Sequence, residues 1–192
     1  MIERDQAYGT IAEYLTDELI VTGIGSQTAS LYKAKDRPEN LYLRGPMGLA
    51  PAVGLGVALA HPERKVVAIE GDGSLLMALS SLAAVAHNRP KNFVLICMDN
   101  GTYEAGGKGT TINAGGTDFV KTVQGLGITL AESVEDLEAL KQATKRLLDS
   151  QECAFLHVRI GARKGPFSPP KLRPYEMKQQ FLSALRKAPS RP

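Results

Sequence analysis

Residues 65–74 read KVVAIEGDGS, and residues 92–103 read NFVLICMDNGTY. Each stretch is a short apolar run typical of a buried parallel strand, followed at once by glycine and polar residues. Between Gly73 and Asn100 lie 26 residues, enough for one helix that crosses from the first strand to the second. Because the carboxyl ends of parallel strands meet at one edge of a sheet, the two polar clusters are predicted to lie side by side.

These polar clusters have the composition of a metal-diphosphate site. Asp72 follows the first strand, and Ser74 opens an apolar helix predicted over Leu75–His87, whose first N–H groups would face a bound anion. Gly73 has no Cβ to hold a ligand away from the backbone. Oxygen ligands from Asp72 and the Asp99–Thr102 segment suit Mg²⁺, which binds them at roughly 2.0–2.1 Å. Gly-Asp-Gly alone also makes ordinary turns, so the prediction rests on both clusters together.

The combined pattern resembles the pyrophosphate-binding domain of thiamine diphosphate enzymes, in which a GDG triplet precedes an Asn pair. The resemblance implies that Asp72, Asn100 and the Thr102 carbonyl oxygen bind Mg²⁺. Asp99 replaces the first Asn of the pair, which is not the usual metal ligand, and is expected to add negative charge near the site. The remaining cofactor contacts that the resemblance implies in these clusters are Gly71, Gly73, Ser74 and Tyr103.

A second segment, LYLRGPMGL at residues 41–49, precedes a small-residue helix predicted over Ala50–Ala60. It resembles the segment that holds the aminopyrimidine ring of the cofactor in the same family. The resemblance implies that the Gly45 carbonyl accepts a hydrogen bond from the 4′-amino group and that Met47 wedges between the two rings. Periodicity alone also fits Met47 as a core side chain that fills a gap.

The stretch IVTGIGSQ at residues 20–27 predicts a strand that runs into a glycine-rich turn. In the family this turn also approaches the diphosphate, which makes Gly25 and Ser26 candidate contacts. A strand-turn-helix connection requires a glycine in any case, so these two residues are the weaker candidates.

Length and periodicity predict the fold class. A chain of 192 residues with 43% hydrophobic residues fits one globular domain. Apolar runs alternate with helical patterns from an amphipathic opening, Ile2–Leu19, through 118–124 and 134–148, to Ala154–Val158. This alternation predicts an α/β fold with a doubly wound, mostly parallel sheet. Residues 1–160 are assigned to the pyrophosphate-binding domain, and residues 161–192 to a basic, proline-rich strap and a last helix, Tyr175–Lys187, of the same domain.

Charge and composition exclude several other classes. Residues 161–192 carry eight basic side chains against one acid, but they lack the interleaved aromatic residues of a nucleic-acid module, so a strap along the body or a partner is predicted instead.

No stretch approaches the ~20 apolar residues of a membrane span, and the N-terminus lacks the charge and apolar order of a signal peptide, so a cytoplasmic protein is expected. Cys97 and Cys153 are predicted to be buried thiols. His61, His87 and His157 are predicted to be structural.

The family resemblance also implies a partner. Thiamine diphosphate catalysis in this family uses a glutamate on a separate pyrimidine-binding domain, and no such domain is expected before Gly45. Glu3, Glu13 and Glu18 belong to the predicted opening helix, where solvated positions are the default. We therefore expect an unlike subunit that supplies the glutamate, an active site at the interface, and an α₂β₂ or larger assembly. No catalytic residue is assigned in this chain.

Over residues 1–160 the chain looks like the sulfopyruvate and phosphonopyruvate decarboxylase group, although Pro46 stands where that group more often has serine. The resemblance implies decarboxylation of a small anionic 2-oxo acid, with the cofactor as electron sink. In the loop at residues 104–111, Lys108, Thr110 and Thr111 are candidates to bind the substrate's anionic tail. The plain alternative is a mobile connector with a solvated lysine.

Three other functions stay open. The first is a split carboligase of the acyloin or acetolactate type. A module for another phosphate ligand is disfavoured, because the chain has neither a GxxxxGK[ST] loop nor a GxGxxG turn after its first strand. The intact Asp72 and Asn100 argue against a non-catalytic subunit.

Overall fold

The computed structural model describes residues 1–104, 109–162 and 170–187. Within these residues, six strands form one sheet in the order β2-β1-β3-β4-β6-β5, and every neighbouring pair is parallel. The strands are β1 (Leu19–Thr22), β2 (Asn40–Tyr42), β3 (Val66–Gly71), β4 (Phe93–Asp99), β5 (Leu130–Val134) and β6 (Ala154–Arg159). The predicted doubly wound α/β fold is confirmed.

Helices cover both faces of the sheet. They are α1 (Arg4–Tyr14), α2 (Ser26–Ala34), α3 (Ala50–Ala60), α4 (Asp72–Met77), α5 (Ser80–Asn88), α6 (Phe119–Leu126), α7 (Leu137–Asp149) and α8 (Pro174–Leu185), with a 3₁₀ helix at Ile112–Gly115. None of the helices in the described part of the chain has the length and apolar content needed to cross a bilayer.

The side chains of the central strands alternate between the two faces of the sheet, so the core consists of two layers. Val67 and Ile69 of β3 pack with α1 and α7 on one face, and Val66 and Ala68 pack towards α3 and α5 on the other. Successive side chains of a strand point to opposite faces, so an apolar run is buried on both sides. Cys97 and Cys153 are buried and free, as predicted.

The strand order reverses between β1 and β3. The chain leaves β1 through α2 to reach β2 at the edge, and then returns through α3 to place β3 on the other side of β1. Ligands of open α/β sheets bind at the carboxyl ends of strands where the order reverses. The glycine-rich turn after β1 and the polar cluster after β3 meet at this position.

Three predicted helices differ in extent from those observed, and the last of them, predicted over Tyr175–Lys187, runs from Pro174 to Leu185. The opening helix ends at Tyr14 rather than Leu19, because Thr16–Glu18 forms a turn in which Glu18 Oε2 accepts a hydrogen bond from Thr16 N–H at 2.6 Å. The helix predicted over Leu75–His87 is split into α4 and α5, with a break at Ala78 and Leu79.

Candidate cofactor site

One cavity at the strand-order reversal collects most of the predicted site residues. Its walls come from the turn after β1, the loop before α3, the start of α4 and the segment after β4. The lining residues are Ile24, Gly25, Ser26, Gln27, Met47, Gly71, Asp72, Gly73, Ser74, Asn100, Thr102, Tyr103 and Glu104. Gly45 does not line it, and Lys108 lies outside the described residues.

Sheet register brings the two polar clusters together. Gly71 of β3 is paired with Met98 of β4, so the next residues along each strand, Asp72 and Asp99, leave the sheet at the same level. Asp72 begins α4, and Asp99 ends β4. Predictions from strand ends alone therefore located both clusters at one edge.

Glycine is required at two points of the cavity wall. A Cβ on Gly73 would lie 2.3 Å from Cε1 of Tyr103 and 2.8 Å from Cγ2 of Thr111. A Cβ on Gly71 would lie 2.6 Å from Nε2 of Gln27. All three distances are shorter than the ordinary contacts of a Cβ atom, so the wall leaves no room for a side chain at these positions.

Asp72 is a buried carboxylate with a strong hydrogen-bond donor. Its side chain belongs to a residue that is 2% exposed, and its Oδ2 accepts a hydrogen bond from the Thr111 hydroxyl at 2.6 Å. Burial, together with the nearby Asp99 carboxylate, raises the pKa of Asp72 above its ordinary value, against hydrogen bonds from Thr111 and backbone N–H groups. A bound cation would relieve this cost of burying negative charge.

Asn100 is held at both ends of its amide. Its Nδ2 donates to Oε1 of Glu104 at 2.8 Å, and its Oδ1 accepts from the Thr102 N–H at 3.1 Å. Glu104 is in turn bound by Arg4 Nη2 at 2.8 Å, and the Arg4 residue is 4% exposed. Neither Glu104 nor Arg4 was predicted as part of the site, since 100 residues separate them and no local pattern connects them.

The Asp99 side chain does not line the cavity and instead belongs to a second hydrogen-bond network. Its carboxylate accepts hydrogen bonds from His157 Nε2 at 2.8 Å, from Gly101 N–H at 2.9 Å and from the amide of Asn113. His157 Nδ1 also pairs with the Ser133 hydroxyl at 2.8 Å. Burial acts to raise the pKa of Asp99, but the hydrogen bonds from His157 and Gly101 outweigh it and leave that pKa below its ordinary value.

The two predicted substrate threonines in the described residues have different environments. Thr111 is 3% exposed and its hydroxyl is bonded to Asp72, whereas Thr110 is exposed and forms an antiparallel bridge with Thr102. Thr111 therefore supports the wall of the cavity behind Asp72.

The donor set fits a hard cation with a diphosphate. Among the described residues no three His, Cys, Asp or Glu side chains cluster as a metal site, so a zinc-type centre finds no support there. The cavity offers the carboxylates of Asp72 and Glu104, the side-chain amides of Gln27 and Asn100, and backbone carbonyls, which are oxygen ligands suited to Mg²⁺ when phosphate oxygens complete its shell. Met47 contributes an apolar side chain to the same cavity.

Comparison with known proteins agrees with this geometry. Residues 23–158 match the family model for the thiamine pyrophosphate enzyme, C-terminal TPP binding domain. Sulfopyruvate decarboxylase subunit beta of Methanocaldococcus jannaschii is 34% identical over 171 residues, which is 89% of this chain and 90% of that protein. Phosphonopyruvate decarboxylase of Streptomyces viridochromogenes is also 34% identical, over 94% of this chain and 45% of that protein.

A solved structure shows the same fold at lower identity. A protein from Mycobacterium smegmatis, described as a thiamin diphosphate-dependent enzyme, superposes with a TM-score of 0.72 at 20% identity, over 84% of this chain and 32% of that chain. The matched segment, 23–158, includes every described wall of the cavity. The chain belongs to the thiamine pyrophosphate enzyme family, through its C-terminal TPP-binding domain.

Proposed function

We propose that this chain is the beta subunit of a heteromeric, thiamine diphosphate- and Mg²⁺-dependent 2-oxo acid decarboxylase of the sulfopyruvate or phosphonopyruvate type. The observation that carries the proposal is the buried Asp72 carboxylate, which shares one cavity with the Asn100 amide and with Met47. The beta subunit of M. jannaschii, which this chain covers over 90% of its length, supports the decarboxylase assignment and the subunit role.

Asp72, the Asn100 amide oxygen and the Thr102 carbonyl would hold the Mg²⁺. Gly71, Gly73, Ser74 and the turn at Gly25 and Ser26 would surround the diphosphate, because these glycines and serines add no large side chain of their own to that wall. Met47 would support the rings, with Gly45 at the pyrimidine side. When bound, the cofactor supplies an electron sink for loss of CO₂ from the substrate. The protein's part is to fix the geometry and exclude water.

The proposal of a partner subunit depends on whether a glutamate of this chain is placed to act on the pyrimidine ring. Glu104 lines the cavity but is engaged by Arg4 and Asn100, and Glu18 is buried and bonded to Thr16. Neither is placed as a free acid-base group for the pyrimidine ring. We therefore propose that an unlike subunit supplies the activating glutamate, in an α₂β₂ or larger assembly.

The substrate's anionic tail is assigned to the loop after β4. Lys108 and Thr110 are the candidates there, since Thr111 is buried against Asp72. In the assembled enzyme, Lys108→Ala is expected to raise KM for an anionic 2-oxo acid while kcat changes less. An unchanged KM would remove Lys108 from the proposal.

The test of the function is co-purification of the chain with its partner, followed by CO₂ release from sulfopyruvate, phosphonopyruvate and pyruvate. Asp72→Asn removes the charged ligand at nearly constant volume, and we expect affinity for Mg²⁺ with thiamine diphosphate to fall by more than about tenfold. Asp5→Asn is the control, because Asp5 is an exposed residue of α1 that forms a salt bridge with Lys33. Full cofactor binding by Asp72→Asn would contradict the metal assignment, and products of carbon-carbon bond formation without free aldehyde would favour a carboligase.

A further inference from the structure

Glu70 is a fully buried acid beside the cofactor cavity, but it does not line the cavity. It lies next to the last residue of β3, and the residue is 0% exposed. Glutamate is almost never fully buried unless its oxygens are paired. The hydrogen-bond donors to the Glu70 carboxylate therefore indicate its role.

Both carboxylate oxygens accept hydrogen bonds, and the donors come from two separate segments. Oε1 accepts from the Gly71 N–H at 3.1 Å, and Ser74 bonds the same carboxylate. Oε2 accepts from the Ala50 N–H at 3.3 Å, and Gly48 N–H is a further donor. Gly71 and Ser74 belong to the diphosphate side of the cavity, whereas Gly48 and Ala50 follow directly on Met47.

Close packing around this carboxylate leaves its position little freedom. A Cβ on Gly23, at the end of β1, would lie 2.0 Å from Glu70 Oε1. Gly48 has a φ of +81°, and a Cβ there would lie 2.6 Å from the carbonyl oxygen of Ser74. The loop containing Met47 and the start of α4 are thus in direct contact, and Glu70 accepts hydrogen bonds from the backbone on both sides of this contact.

We propose that Glu70 is a positioning residue that holds the loop containing Met47 at a set distance from the start of α4, and thereby matches the cavity to a ligand with a ring end and a diphosphate end. The inference rests on the proposed function, because it assigns those two ends to the cofactor. In its ionised form the carboxylate suits this task, since its two oxygens accept from both segments, whereas a glutamine would turn an N–H₂ group towards one set of N–H donors.

The test compares two probes by calorimetry in excess Mg²⁺, on the chain assembled with its partner subunit. Thiamine diphosphate requires both segments, whereas inorganic pyrophosphate requires only the diphosphate side. For Glu70→Gln, we expect affinity for thiamine diphosphate to fall by about tenfold or more, as for loss of a group that orients direct ligands, and affinity for pyrophosphate to stay unchanged. Leu140→Ala, on the buried face of α7, is the control for general destabilisation and should leave both affinities unchanged.

Each outcome decides the proposal. Equal losses for the two probes, or no loss for either, would overturn the positioning role. If Glu70→Gln does not fold, Glu70→Asp keeps the carboxylate but shortens its reach to the two segments, and it is expected to give the same selective loss. A wild-type complex that binds neither probe would overturn the proposed cofactor site first, and the role of Glu70 with it.

Discussion

Gly73 is the residue at which a single methyl group is expected to matter most. In Gly73→Ala the new Cβ would meet the Tyr103 ring at 2.3 Å, which forces the ring or the backbone of α4 to move. We expect a stability loss of about 1–3 kcal/mol and weaker pyrophosphate binding, measured by thermal unfolding and calorimetry. Gly9→Ala in α1 is the matched control: nothing lies within 4 Å of its Cβ, and it should stabilise the chain by up to about 1 kcal/mol. Similar behaviour of the two variants would contradict the steric argument.

Glu104 is expected to affect both metal binding and stability, and the two effects are separable. Glu104→Ala frees the Asn100 amide, and loss of such an orienting group typically lowers metal affinity by about 10–100-fold. It also leaves Arg4 buried without its carboxylate, at a cost of about 3–5 kcal/mol.

The double variant Arg4→Leu with Glu104→Leu separates these effects. It removes the unpaired buried charge, so much of the stability is expected to return while Mg²⁺ affinity stays low. Recovery of Mg²⁺ affinity in the double variant, measured by calorimetry with pyrophosphate present, would show that Glu104 acts only through stability.

Helix α8 is the element whose contribution to the fold is easiest to test. Phe181 is 4% exposed within the core layer that includes Phe93, and Arg64 donates to the carbonyl oxygens of Ala184 and Lys187 near the end of α8. Phe181→Ala is expected to lower the free energy of unfolding by about 3–5 kcal/mol, measured by denaturant titration. Tyr175→Ala, at a position that is 68% exposed, should change it by less than about 0.5 kcal/mol. Equal effects would contradict our assignment of residues 161–192 to the same domain.

The elements show which part of the architecture was predictable from sequence. Helix α3 was predicted with its observed bounds, because its small apolar residues run unbroken from Ala50 to Ala60. The split between α4 and α5 was missed, because the residues at the break, Ala78 and Leu79, are ordinary helix formers. The structure shows Gly48 packed against Ala78, with a Cβ on Gly48 only 2.6 Å from that of Ala78. A contact of this kind, 30 residues away in sequence, leaves no local pattern.

The same limit applies to the site. The positions of the proposed ligands Asp72 and Asn100 were predictable, because residues at strand ends are located by strand position alone. Their supporting side chains were not: Arg4 reaches Glu104 across 100 residues, and His157 reaches Asp99 across 58. His157 was predicted to be structural, and both of its ring nitrogens are indeed bonded within the fold.

For the molecule as a whole, Glu70 is expected to make stability fall as pH rises. Burial raises the pKa of Glu70 from its ordinary 4.5 to about 7, against the hydrogen bonds from Gly71 and Ala50 that lower it. The folded chain therefore binds this proton more tightly than the unfolded chain does, and the stability gained from it is lost as pH rises from 4.5 through about 7.

The variant Glu70→Gln has no proton to lose in this range. Its melting temperature is expected to be lower overall, because of the misplaced N–H₂ group, but to depend less on pH between 5 and 8 than that of the wild type. Thermal unfolding of both proteins across this range measures the difference. Parallel curves would show that Glu70 does not titrate in the window.

The reversal of strand order between β1 and β3 has a consequence for how the chain acquires its cofactor. These two strands are neighbours in the sheet, but α2, β2 and α3 all lie between them in sequence. The cavity thus does not exist until the edge strand has docked and the chain has returned, and such non-local parallel pairing is slow to form. We therefore expect thiamine diphosphate to bind chains that have finished folding rather than to act as a template for those that have not.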